Sequence, residues 1–363
     1  MPPAGPSAAR RRPGEARGRP VTARAARAVL VTAVALLTLT TPAGSTLSVE
    51  PVAATPDAAP TPATLTRVAG ADRIATAIAA SQAGFPTDHS AAVVVIARAD
   101  QFADALAGGP LAARLSGPLL LTTSGGITTA VAAEMQRVLP PNHTVYLLGG
   151  ANALAASTEA QVTNLGFVQV RFSGVDRYDT AIKVAQYLGE PNTIFEADGT
   201  NFPDGLSAGP AAAITQGVVI LTVAGRLSNE TAAYLAAHPG AARYAVGGQA
   251  AAADPHAEAL FGADRYETSV AVARRFFLSP STVSTASGAA FPDASSGGPI
   301  SALASGPMVL VPADGTLPAS AQSYFAGLST TVVSAWLFGA STAVSTSMAD
   351  QIAQALVLVP PPS

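Results

Sequence analysis

The amino-acid sequence predicts an α/β protein that consists of three tandem modules, each with a parallel sheet. One set of four sequence blocks occurs three times in the same order, which is the signature of an internal repeat. Within each set, short apolar runs alternate with segments of helical periodicity, as in a parallel sheet with helices on both faces. The chain has 363 residues, 49% of them hydrophobic and 12% charged, so it can bury a large core.

The first block of each set is Gly-x-Asp-Arg followed by a threonine, and it begins a helix. It lies in residues 67–77, 171–181 and 260–269. In the first copy, apolar residues follow the aspartate at helical spacing, at Ile74, Ala77 and Ile78. An aspartate at a helix start accepts hydrogen bonds from backbone N–H groups, so the aspartates of this block are predicted to be structural N-caps. They are Asp72, Asp176 and Asp264.

The second block runs from a phenylalanine through an aspartate to a Gly-Pro pair. Its copies are Phe102–Pro110, Phe202–Pro210 and Phe291–Pro299. The aspartates precede a glycine-containing helical stretch, so they are also predicted to be N-caps. They are Asp104, Asp204 and Asp293. Acid–base catalysis needs a second poised group, and no unique partner accompanies any of the three, so a structural role is favoured.

The third and fourth blocks are apolar strands, the fourth ending in a glycine turn. Strands occupy residues 117–122, 217–222 and 306–311, and strands with turns occupy 144–150, 243–248 and 334–339. The turn glycines Gly149, Gly150, Gly247 and Gly248 are predicted to form tight turns, and anion binding by their backbone N–H groups is the alternative. Neither Gly-x-Gly-x-x-Gly nor Gly-Lys-Ser/Thr accompanies them, so no nucleotide cofactor is expected.

Together the four blocks resemble the cell wall-binding repeat 2 family of Gram-positive surface proteins and wall hydrolases. The resemblance covers residues 65–359 and divides them into repeats at 65–168, 169–257 and 258–359. It implies a pseudo-threefold assembly of Rossmann-like modules that attaches non-covalently to anionic wall polymers. The second repeat is shorter than the first, because Gly247 and Gly248 stand close to the next Gly-x-Asp-Arg block. Most of its closing helix and strand is therefore predicted to be missing.

Arginine is the residue type in these blocks that best suits an anionic ligand. A guanidinium group matches the oxygens of a phosphate or carboxylate with two parallel hydrogen bonds. The candidates for ligand contact are Arg73, Arg177 and Arg265. The competing interpretation is that each arginine pairs with a carboxylate of the neighbouring module, because interfaces between repeats need recurrent polar pairs.

The N-terminal region has the pattern of an export signal. Seven arginines precede an apolar run at residues 28–39, which predicts a signal peptide over residues 1–45, with a retained membrane anchor as the alternative. Residues 46–64, rich in proline, alanine and threonine, are predicted to be a linker. Removal of residues 1–45 leaves 13 basic and 22 acidic residues, a net charge near −9. Nucleic-acid binding is therefore disfavoured, because it requires a basic surface.

Residue types that carry chemistry are scarce. The chain has no cysteine and only four scattered histidines, so no metal site is expected. Gly205–Gly209 matches the Gly-x-Ser-x-Gly nucleophile motif, but the repeat pattern explains Ser207 without catalysis. The sequence therefore predicts a secreted cell-wall-binding protein without enzymatic activity or cofactor, its partner being an anionic glycopolymer or peptidoglycan. The alternatives are a peptidoglycan hydrolase of the N-acetylmuramoyl-L-alanine amidase type and a secreted solute-binding protein. Oligomeric state is left open.

Overall fold

Three four-stranded parallel sheets carry the fold. A computed structural model of the chain describes residues 63–361, so the predicted signal peptide and nearly all of the predicted linker lie outside the described residues. The first repeat contains strands β1 (Thr64–Val68), β2 (Val93–Arg98), β3 (Leu119–Thr122) and β4 (Thr144–Leu148). The second contains β5 (Val168–Phe172), β6 (Thr193–Asp198), β7 (Val218–Thr222) and β8 (Ala242–Val246). The third contains β9 (Glu258–Leu260), β10 (Thr282–Ser287), β11 (Met308–Val311) and β12 (Ser334–Phe338).

Twelve helices connect these strands in the described part of the chain. Those of the first repeat are α1 (Arg73–Gly84), α2 (Ala103–Arg114), α3 (Thr129–Val138) and α4 (Ser157–Asn164). Those of the second are α5 (Arg177–Tyr187), α6 (Pro203–Ile214), α7 (Asn229–Ala237) and α8 (Gly248–Ala253). Those of the third are α9 (Arg265–Phe276), α10 (Pro292–Leu303), α11 (Ala319–Gly327) and α12 (Thr346–Leu356). The predicted α/β class with parallel sheets is confirmed, because all nine named strand pairs are parallel.

Each sheet is completed by a strand of the following repeat. The orders are β3-β2-β4-β5, β7-β6-β8-β9 and β11-β10-β12-β1. Thus β5 and β9 pair with the repeat before them in sequence, and β1 pairs with β12 at the other end of the chain. The register of that last pair runs from Thr64 beside Ser334 to Val68 beside Phe338. Because β1 fills the third sheet, the three repeats close into a ring.

The second helix of each repeat lies at the centre of this ring. Helices α2, α6 and α10 contact one another in all three pairwise combinations, consistent with pseudo-threefold symmetry. Their N-terminal phenylalanine rings also meet, with centroid distances of 5.8, 6.1 and 6.2 Å. The helices approach closely at Gly205, where a Cβ atom would lie 2.9 Å from Leu106 of the neighbouring repeat. Glycine at position 205 therefore permits the close packing of α2 against α6.

The second repeat retains its closing helix and strand in shortened form. Helix α8 has 6 residues, against 8 in α4 and 11 in α12. Strand β9 has 3 residues, against 5 in β5. The prediction that most of both elements is missing is therefore wrong: both are shortened, and β9 still pairs with β8 in the second sheet.

Ring closure predicts that β1 stabilises the third repeat. Leu65 is 1% exposed and belongs to the apolar core of the third repeat. We expect Leu65→Ala to lower the free energy of unfolding by about 2–5 kcal/mol, because it opens a cavity in that core. Thr66→Ala, on the exposed face of the same strand, is expected to change it by less than about 0.5 kcal/mol. Urea denaturation measures the free energy of unfolding of both variants. Equal losses in the two variants would contradict the stabilising role of Leu65 and β1 in the third repeat.

Candidate functional site

Two open clefts lie at the carboxyl ends of the strands, each between consecutive repeats. The first cleft has a volume of about 540 Å³ and separates the first repeat from the second. Its charged and amide-bearing lining residues are Arg98, Gln101, Asp104, Asn152, Asp176 and Arg177. The second cleft, of about 290 Å³, separates the second repeat from the third. Its corresponding residues are Asp198, Asn201, Asp204, Gln249, Asp264 and Arg265. Ligands of open parallel sheets commonly bind at this edge.

Three of the repeated blocks meet in each cleft. The turn glycines that follow β4 or β8 form one side, and the Gly-x-Asp-Arg block of the next repeat forms the other. The aspartate of the Phe-x-Asp block lies between them. The sheet topology causes this convergence, because β5 and β9 bring each new Gly-x-Asp-Arg block beside the preceding turn.

The first glycine of each turn has a conformation that favours glycine. Gly149, Gly247 and Gly339 have φ values of +95°, +92° and +113°. In each case a Cβ atom would also fall within 2.6 Å of a carboxylate oxygen of the Phe-x-Asp aspartate. The second glycine of each pair differs, since Gly150 and Gly248 do not have positive φ. The tight-turn interpretation therefore holds for the first glycine, where backbone and carboxylate come close.

The predicted N-cap role of Asp104, Asp204 and Asp293 is wrong. Each helix already includes its aspartate, because it begins at the residue before it. The starts are Ala103, Pro203 and Pro292, and the preceding phenylalanine is the N-cap residue. Proline suits the first helical position because its fixed φ and missing N–H cost nothing there. The aspartates instead point beneath the glycine turns. Burial raises their pKa values, and the arginine of the following repeat partly opposes this shift.

The aspartates of the Gly-x-Asp-Arg block cap helices as predicted. The side chains of Asp72, Asp176 and Asp264 each accept two backbone N–H bonds at the starts of α1, α5 and α9. In the case of Asp176, the donors are Tyr178 and Asp179, both at 2.9 Å. These carboxylates are thus engaged by the backbone although Asp176 and Asp264 border the clefts.

Each candidate arginine bridges two repeats. Arg177 donates from Nη1 to the carbonyl of Gly199 at 2.7 Å, within its own repeat. Its guanidinium carbon lies 5.5 Å from the centre of the Phe102 ring, which belongs to the preceding repeat. Arg73 and Arg265 make the same two contacts, with ring distances of 5.9 and 5.8 Å. Cation–π contact at such distances contributes about 0.5–2 kcal/mol.

Several residues of the site escaped the sequence analysis. Phe102 and its two counterparts begin the second sequence block. Their contact with arginine could not be predicted, because it forms only when the repeats pack in a ring. Arg171 donates from Nη1 to the carbonyls of Gly149 and Leu154 at 2.9 and 3.1 Å. Arg67 does the same for Gly339 and Val344, at 2.9 Å each. The recurrence of this arginine in two repeats was a signal that could have identified it as a support for the turn.

The two clefts differ in charge. Arg98 lines the first cleft and forms an ion pair with Asp100 at 2.7 Å. At the matching position of the second repeat stands Asp198, which accepts bonds from Thr200 and from the backbone N–H of Ala224. The second cleft is therefore lined by three aspartates and one arginine. A ligand that contacts both clefts meets different side chains in each.

Two arrangements typical of active centres, an exposed nucleophilic serine and a metal-binding cluster, do not occur at the matching places in the described residues. Ser207 is 1% exposed and donates to the carbonyl of Asp204 at 3.1 Å, so the Gly-x-Ser-x-Gly match lies inside α6 and presents no accessible nucleophile. Among residues 63–361, no group of three or more histidine, aspartate or glutamate side chains could hold a metal ion.

The fold defines a class, that of α/β repeat proteins closed into a ring, and comparison with known proteins identifies the family. The profile of Cell wall binding domain 2 (CWB2) matches residues 67–159, 171–256 and 259–349. The chain therefore belongs to the CWB2 family, as the resemblance of its blocks predicted. Within residues 63–361, no helix has both the length and the apolarity needed to cross a membrane.

Related proteins share the repeats over part of their length. The N-acetylmuramoyl-L-alanine amidase LytC of Bacillus subtilis (strain 168) is 26% identical over 297 residues, which are 80% of this chain and 58% of the amidase. The amidase enhancer of the same organism is 30% identical over 156 residues, 43% of this chain and 21% of that protein. Of these two curated relatives, the chain thus spans little more than half of one and about a fifth of the other.

Solved structures show the same fold. Cwp8 from Clostridium difficile superposes with a TM-score of 0.73 at 23% identity, over 81% of this chain and 52% of that one. Cwp6 from Clostridium difficile gives a TM-score of 0.71 at 24% identity, over 80% and 48%.

The turn geometry predicts opposite effects at neighbouring glycines. We expect Gly247→Ala to destabilise the protein by more than about 1 kcal/mol, because alanine is strained at positive φ and its Cβ would displace the Asp204 carboxylate. Gly248→Ala is the matched control: no atom lies within 4 Å of its added Cβ, and it sits at the start of α8. It is expected to be neutral or stabilising by up to about 1 kcal/mol. Thermal unfolding distinguishes the two, and similar losses would contradict this account of the turn.

Proposed function

We propose that this protein is exported and binds the cell wall non-covalently through the clefts between its repeats, without a catalytic activity of its own. The proposed ligand is an anionic glycopolymer or the peptidoglycan. Residues 1–45 act as the cleaved signal peptide, residues 46–64 as the linker, and the repeats at 65–168, 169–257 and 258–359 as the binding body. Membership of the CWB2 family supports the wall as the partner.

The single observation that carries the proposal is the convergence of the repeated blocks on the clefts. The blocks shared by the repeats meet at the same edge of their sheets, where arginine and amide side chains line the same cleft. A polymer with a repeating unit can contact two such clefts at once. Linked weak contacts then act together, so that modest affinities give stable attachment.

The acidic charge of the mature chain requires recognition at short range. A net charge near −9 repels an anionic polymer at long range, and salt screens this repulsion beyond about 10 Å. Arg177 and Arg265 offer positive charge inside the clefts. We propose that these arginines and Arg73 mainly join adjacent repeats, and that the cleft arginines contribute to ligand contact from those fixed positions.

Wall binding is tested by co-sedimentation with purified cell walls. Asn152→Trp and Gln249→Trp place bulky side chains on exposed positions of the first and second clefts. We expect the double variant to bind walls more than about tenfold more weakly, because both linked contacts are obstructed. Gln136→Trp, on the exposed surface of α3 away from both clefts, is the matched control and should bind normally.

Further measurements identify the class of wall ligand and test for catalysis. Walls stripped of anionic polymers should bind the wild-type protein less than intact walls if those polymers are the ligand, and equally if peptidoglycan is. Normal sedimentation of the double cleft variant would overturn binding through the clefts. Release of soluble fragments from peptidoglycan by the pure protein would overturn the absence of catalysis.

A further inference from the structure

The second repeat buries a carboxyl group in the middle of its sheet. Glu196 is the fourth residue of β6 and is 0% exposed. Its partners in register are Ile220 on β7 and Ala245 on β8, both fully buried. Neither carboxylate oxygen accepts a hydrogen bond from a donor group among residues 63–361. A buried carboxylate without a partner is very costly, so such a group normally takes up a proton.

This carboxyl group is peculiar to the second repeat. Ile96 and Thr285 occupy the matching positions of β2 and β10. The residue beside them in the fourth strand is Leu147 or Leu337, whereas the second repeat has the smaller Ala245. Glutamate therefore stands where the other repeats place a shorter side chain next to leucine. The substitution coincides with the shortest closing helix, α8, which contacts β6.

A second buried carboxylate ends that helix. Asp254 is the C-terminal cap residue of α8 and is 3% exposed. Its Oδ2 atom lies 3.3 Å from Nη1 of Arg243 on β8, and its Oδ1 atom accepts the backbone N–H of His256 at 2.9 Å. Burial, and then the negative charge of Asp254, raise the pKa of Glu196 to about 8, while Arg243 partly opposes this rise.

The other elements around Glu196 place mainly apolar side chains in this cluster. Helix α5 contributes Ile182 and Ala185, and its charged Lys183 is 43% exposed and pairs with Asp179 at 3.2 Å. On its face of the sheet, β7 and α7 supply Ile220, Leu235 and Tyr234, and burial raises the pKa of the tyrosine to about 12. On β9, Glu258 is 47% exposed and pairs with Arg275 at 2.7 Å. The charged groups that face Glu196 are thus Asp254 and Arg243.

We propose that Glu196 is protonated in the native protein and donates a hydrogen bond to Asp254, and that this proton holds α8 against the sheet. Loss of the proton places two carboxylates side by side in a buried space, and their repulsion loosens α8. This helix begins with Gly248 and Gln249, which line the second cleft. The geometry of the second cleft therefore depends on pH, whatever ligand the cleft takes.

The direction of the pH dependence follows from linkage. The native state holds the Glu196 proton more tightly than the unfolded chain, whose glutamate has an ordinary pKa of 4.5. The stabilising effect of this proton is therefore complete below pH 4.5. It declines as the pH rises toward about 8, and it is absent above that value. Within that window one bound proton changes the unfolding equilibrium constant by about tenfold per pH unit.

The test compares pH profiles of urea unfolding between pH 5 and 9 for the wild type, Glu196→Gln and Glu258→Gln. Glutamine keeps a donor for Asp254 but does not titrate. With rising pH, the unfolding equilibrium constant of the wild type should increase more steeply than that of Glu196→Gln. The difference in slope should be about tenfold per pH unit below pH 8. The exposed control Glu258→Gln should follow the wild type. Equal slopes in the wild type and Glu196→Gln would overturn the proposal.

Amide hydrogen exchange of residues 249–253 tests the link to α8. After correction for intrinsic exchange, protection in the wild type should fall several-fold from pH 6 to pH 9, and protection in Glu196→Gln should not. Equal protection of these amides in the wild type and Glu196→Gln at each pH would overturn the proposed link between Glu196 and α8. If Glu196→Gln does not fold, Glu196→Ile, which copies the first repeat, replaces it. Carboxyl-carbon NMR of the wild type then decides directly, because the proposal fails if every glutamate titrates in the ordinary range.

Discussion

Exchange of strands between repeats is the constraint on which the rest of this structure depends. Each sheet has three strands of its own repeat and a fourth from the next, so a single repeat leaves the edge of its sheet open. An open edge presents unpaired N–H and C=O groups, which favours association with another strand. In the ring this edge is paired, because β5 lies beside β4, β9 beside β8, and β1 beside β12 from the opposite end of the described chain.

The same exchange creates the clefts and the contacts that border them. Because β5 and β9 belong to the preceding sheets, each Gly-x-Asp-Arg block lies against the glycine turn of the repeat before it. Arginine then contacts a phenylalanine ring across the junction, as Arg177 does with Phe102. The buried aspartate below the turn, such as Asp104, remains near that arginine. Some residues that join the repeats, such as Arg177, therefore also line a cleft.

The second repeat differs from the first at positions that border its cleft and fill its core. Its closing helix α8 is short, an aspartate replaces Arg98 at the edge of the cleft, and a glutamate replaces the core isoleucine of β2. These changes keep the sheet topology, since β9 still pairs with β8. They alter the charge and the packing around the second cleft, so similarity of the backbone does not make the two clefts equivalent.

The sequence by itself determined the repeat number, the α/β class, the family and the helix caps at Asp72, Asp176 and Asp264, because periodicity and capping are local properties. Only the tertiary structure decided which strand completes which sheet, since parallel pairing joins residues as distant as Val68 and Phe338. It also corrected the predicted N-cap role of Asp104. This residue lies in the first turn of α2, below a glycine turn and near an arginine of the next repeat. The burial of Glu196 near Asp254 could not be predicted from the sequence either, because it arises only when the sheet and α8 pack together.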